Sequence, residues 1–140
     1  MKDYILKQCD YHAWANTRLF NRLKELPNYE TIFNEQIQSV FPSIKDTFVH
    51  IYITDQVWLH ILHGKSMNEA IQDREDLRKQ IETKSLHELE KMFENMANQY
   101  KDFLITIQDV NAVFVIENPY VGKLETSILE LVQHVVNHGT

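Results

Sequence analysis

Glycine and proline are nearly absent from this chain, with three of each in 140 residues. Tight turns draw on both residues, so a fold of many short strands joined by hairpins would need more of them. A few long helices are predicted instead. The first runs from about Asp3 to Leu26 and is closed by Pro27, which stops helices. The second starts near Ser43, just after Pro42, and runs to about His63, with Gly64 placed to cap its end. The third starts near Ser85, where SLHE pairs Ser85 with Glu88 as a capping box, and runs to about Ile107. The fourth starts at Thr126 or Ser127 and runs to the end.

Two linkers separate these stretches. Residues 65–84 are polar and charged, and EDLRKQIE within them is expected as a short helix. Residues 109–125 contain VFVI, a β-branched and aromatic run that suits a short extended piece. Pro119 and Gly122 are then expected to turn the chain into the last helix. The predicted fold is all-α: a four-helix bundle with at least one long crossover connection and a short extended segment before the last helix.

The charge balance narrows the partners. The net charge is −6, and Lys and Arg form no cluster, which argues against nucleic-acid binding. Cys9 is the single cysteine, so no internal disulfide forms, which fits a reducing compartment. The first residues carry no apolar leader, and no apolar run reaches the ~18 residues of a membrane span. A soluble, cytoplasmic protein is expected.

The seven histidines differ in setting. On the helical wheel His60 and His63 fall on a polar sector of the second helix, and His87 opens the third. All three are expected at the surface. His12 is expected to be held structurally by hydrogen bonds. His50 lines up with Ile53, Val57 and Ile61, so it is expected to face the interior and to need a partner or a metal. Asp55 sits within the apolar stripe of Ile44, Phe48, Ile51, Trp58 and Leu62. It suits either a hydrogen bond between helices or support of a metal-bound histidine.

His134 and His138 are four residues apart and share a helix face, a spacing that two metal-ligating imidazoles can use. His138 lies beside Leu131 at the edge of the apolar arc, while His134 lies toward the polar side with Glu130 and Asn137. A residue four places after His138 would fall inside the arc. Other chemistry is poorly supported. Cys9 is expected in the core of the first helix, with nothing nearby to activate it. There is no GxSxG, P-loop or GxGxxG.

Three segments carry a resemblance. They are YHAWANTRLFNRL (11–23), SIKDTFVHIYITDQVWLHILHG (43–64) and SILELVQHVVNHGT (127–140). In this order and spacing the chain resembles the DinB family, over nearly its whole length. The resemblance implies a four-helix bundle, often a homodimer. It implies a divalent metal, zinc or nickel, on three histidines. His50 matches the ligand from the second helix, and His138 the first of the pair from the last. The third ligand is then expected beyond residue 140, with the last helix cut short at its C-terminal end, and His134 is a possible substitute. The activity implied is that of a metal-dependent enzyme, a thiol S-transferase using a low-molecular-weight thiol or a hydrolase. The alternatives are a stress-associated binding or structural module with an incomplete or non-catalytic site, and a metal-free bundle that acts by dimerising.

Overall fold

The computed structural model describes residues 2–118, 120 and 122–139. The elements in chain order are α1 (Lys2–Glu25), α2 (Tyr29–Asn34), α3 (Ile44–Leu62), α4 (Met67–Gln72), α5 (Arg74–Glu82), α6 (Leu86–Thr106), β1 (Val113–Asn118), β2 (Gly122–Ser127) and α7 (Ile128–His138). The chain is mostly helical, with one small two-stranded sheet.

One local signal starts four of the helices. Ser43, Ser66, Ser85 and Ser127 each accept a hydrogen bond from the backbone N–H three residues on, at 3.0, 3.2, 3.2 and 3.1 Å. This satisfies one of the amide donors that a helix start leaves without a partner. The third residue is acidic each time, as Asp46, Glu69, Glu88 and Glu130. A negative charge there also suits the positive end of the helix dipole. At Ser85 the bond is returned, since Glu88 accepts from the Ser85 N–H. At the other end of α3 Gly64 takes φ +98°, the left-handed conformation that closes a helix most readily with glycine.

The long helices pack in a ring. α1 lies against α6 and α7, and α3 lies against the same two. α1 contributes a stripe at helical spacing: Ile5, Asn16, Phe20 and Leu23 are buried, with Cys9 and His12 half-buried between them. Toward the C-terminal end of α1, Phe20 stacks on Phe48 at 4.4 Å between ring centroids, and Phe93 meets both edge-on. Toward its N-terminal end, Ile5 joins Leu104, Val132 and Val136.

The expected extended run is β1, and it pairs antiparallel with β2 from Val113 opposite Ser127 to Asn118 opposite Gly122. The expected turn into the last helix is thus a second strand, with Gly122 at its start and φ +90°. Pro119 lies outside the described residues. Ile116 fastens the hairpin by packing with Met67, Ala70 and Leu131. The short helix expected at residues 75–82 is α5, one residue longer at its start. α2 and α4 were not expected. No described helix is long and apolar enough to cross a membrane.

Candidate metal centre

α3 and α7 run side by side, and each brings one histidine to the same place. His50 Nε2 lies 3.0 Å from His138 Nε2, with ring centroids 4.9 Å apart and planes tilted by 53°. Phe41, in the loop before α3, also meets the His50 ring, with centroids 4.5 Å apart and planes tilted by 30°. His138 is the last residue of α7, so the pair sits at the negative end of that helix's dipole, where a cation is favoured.

His50 is half-exposed rather than interior, which corrects the sequence expectation. The wheel placed His50 in line with Ile53, Val57 and Ile61 as if that line were covered along its whole length. In fact α3 changes partners along its length, packing on α2 and α5 as well as on α4, α6 and α7. Ile53 and Ile61 are buried while Val57 is half-buried, so His50 stands on a boundary sector. Partial burial lowers the His50 pKa, and His138 and Arg78 lower it further. A neutral imidazole is the form that binds a metal.

Two nitrogens held ~2.0–2.1 Å from one ion lie about 3 Å apart or slightly more. The Nε2 pair therefore fits two ligands of a shared ion. The set stops at two: among the described residues, no group of three or more His, Cys, Asp or Glu gathers closely enough to hold a metal. His134 is exposed, and its ring meets Trp58 edge-on at 5.4 Å.

Behind the pair lies a buried polar cluster. Asp55 is 3% exposed, and its Oδ2 is 3.2 Å from His12 Nε2. Asp55 thus makes the hydrogen bond between helices, one of its two expected roles. Asn16 Nδ2 approaches the same His12 nitrogen at 3.5 Å. The Tyr100 hydroxyl donates to the Asp55 carbonyl at 2.5 Å. Burial raises the Asp55 pKa, and the bond and charge of His12 pull the other way. Tyr100 is also pushed up, by burial first and then by the Asp55 charge.

The cluster touches the end of α7. A Cβ built on Gly139 would overlap the His12 ring, with Nδ1 2.6 Å away. His12 is therefore held between Asp55 and the residue that follows His138. Sequence reasoning missed Asn16 and Gly139. A signal existed for Asn16, which falls on the α1 stripe with Ile5, His12, Phe20 and Leu23. Nothing in the sequence marked Gly139.

The remaining histidines serve local contacts. His60 is half-buried beside Gln56 at 2.6 Å, His63 lies edge-on to Phe103, and exposed His87 meets Tyr29. Cys9 is half-buried among apolar neighbours, and its pKa is pushed up to about 12 by burial first and by the charges of Asp10 and Asp55.

Comparison with known proteins agrees with the three segments. The DinB family profile matches residues 1–140. Protein DinB of Bacillus subtilis (strain 168) is 41% identical over 140 residues, which cover all of this chain and 80% of that protein. With the match running from the α1 stripe through His50 to the end of α7, the chain belongs to the DinB family.

Proposed function

We propose that the protein binds a divalent metal, zinc or nickel, through His50 and His138, and works as a metal-dependent enzyme of the thiol S-transferase or hydrolase type. The observation that supports this most is the 3.0 Å approach of the two Nε2 atoms on neighbouring helices. The third ligand is assigned to chain following residue 140, with His134 as the substitute if it leaves Trp58. An ion with an open position supplies a lowered pKa for the water or thiol bound there.

The chain's own residues do the rest. Phe41 braces the His50 ring against rotation. Asp55 holds His12, and His12 backs the end of α7, which keeps His138 turned toward His50. Half-exposed His50 and exposed His138 leave room for a small-molecule substrate, with a low-molecular-weight thiol as the co-substrate. We read residues 1–140 as one domain in which α1, α3, α6 and α7 form a four-helix bundle. The hairpin belongs to the long crossover into α7. The protein is assigned to the cytoplasm, with neither nucleic acid nor membrane as partner. It is read as a homodimer, for which α1 offers exposed Tyr4, Tyr11 and Trp14.

The test is metal content and thiol-dependent turnover in the same preparation. Stoichiometric zinc or nickel together with consumption of an electrophile by a thiol supports the reading. A second reading is a stress-associated binding or structural module, and the two-histidine donor set favours it. Tight metal without turnover of thiol or ester substrates would select this second reading. No metal at stoichiometric level would remove the first.

A further inference from the structure

A cavity of about 320 Å³ lies inside the helix ring, on the α1–α6 side. That is near the lower limit for small-molecule sites. Its walls are mostly apolar, with Phe20, Phe93, Met96 and Val135 among them. Thr17, Glu94 and Asn98 line it and are exposed, so it reaches the surface along the α1–α6 seam. Ala13 and Ala97 keep that seam open, since neither carries a side chain beyond Cβ.

Asp55 lines the cavity from α3. One of its oxygens, Oδ2, has His12. The other, Oδ1, is buried and has no hydrogen-bond partner. A buried carboxylate oxygen without a donor is costly, and such groups are nearly always satisfied. In the ionised form this oxygen only accepts, so the partner that fits it is a donor.

The charge of the lining decides what kind of donor fits. The lining carries Asp55, Glu90 and Glu94, with His12 as its one basic side chain and no Lys or Arg. Lys24 pairs with Glu90 at 2.9 Å and His12 with Asp55 Oδ2 at 3.2 Å, which leaves Asp55 Oδ1 inside and Glu94 at the mouth. An anion is repelled here. A cation gains a charge-assisted hydrogen bond, about twice as strong as a neutral one.

We propose that this cavity is a binding site for a small organic ammonium, whose apolar body fills the space between α1 and α6 and whose N–H donates to Asp55 Oδ1. The site shares Asp55 and His12 with the support of the histidine pair but includes neither His50 nor His138, and it does not depend on a metal.

The test is calorimetric titration of metal-free protein with benzylammonium, and with benzyl alcohol and toluene as neutral analogues of similar shape. Chemical-shift mapping locates the bound molecule. Benzylammonium is expected to bind with shifts at Phe93, Ala97 and Asp55, at least about tenfold tighter than either analogue. Asp55→Asn keeps the shape and is expected to erase that preference. Ala97→Leu, which narrows the mouth and leaves Asp55 in place, is expected to weaken all three ligands. His50→Ala is expected to leave the binding unchanged, so failure of the metal reading does not touch this one. Any of three results overturns the proposal: no benzylammonium binding, as a cavity holding water only would give; equal affinity for the neutral analogues; or shifts confined to another part of the chain.

Discussion

Gly139 leaves the space that the His12 ring occupies. The glycine itself has φ −76°, which alanine adopts freely, so its requirement is one of room and not of backbone freedom. Gly139→Ala is expected to cost about 1–3 kcal/mol, as overpacking does. Urea unfolding measures this. Adding His12→Ala should recover part of the loss, because the two residues are in direct contact and their effects do not add. Full additivity of the two changes would show that the ring and the glycine do not compete for that space.

The histidine pair sets a prediction about affinity. Loss of a group that merely supports a ligand weakens metal binding by about 10–100-fold, so loss of a ligand should cost at least that much. His50→Ala and His138→Ala are each expected to show it in zinc or nickel titrations. His60→Ala is the control, since its contact is with Gln56. Equal affinity in all three variants would place the metal elsewhere.

Asp55 gives the pH dependence a sign. It holds its proton more tightly in the folded chain than in the unfolded one. The stability this contributes is present below the ordinary aspartate range and is lost as pH rises through the folded-state titration. Asp55→Asn has no such proton. Unfolding free energies measured from about pH 4 to pH 7 should therefore fall more steeply in the native protein than in the variant. Parallel curves would mean that Asp55 titrates alike in both states.

Cys9 is predicted to be inert. With a pKa near 12, about one thiol in ten thousand is ionised at pH ~8. Iodoacetamide should label it far more slowly in the folded chain than in urea. Labelling at the rate of a free thiol would contradict its burial.

The long helices were legible because their stripes and stop signals are local. SLHE marked the start of α6, and its capping box is present. SMNE carries the same pattern ahead of α4, yet six residues are too few to show a helical period. VFVI read as an extended piece because it is β-branched and aromatic. Its partner GKLETS did not, because Lys123 and Glu125 face outward and leave it looking like a loop. At the candidate site, residue type and spacing singled out His50 and His138. The pairing of His12 with Asp55 and the fit of Gly139 against His12 come from helices packed side by side, and no local pattern encodes them.

His50 and His138 stand 88 residues apart in the chain. At a synthesis rate of ~5–20 residues per second, the first waits roughly 4–18 s for the second to be made. α1 waits longer for α7, its neighbour in the ring. Until then the apolar stripe of α1 lacks one of its walls, and a nascent chain in that state is a natural client for a chaperone. The place where the two imidazoles meet cannot form until α7 has been made and laid against α3.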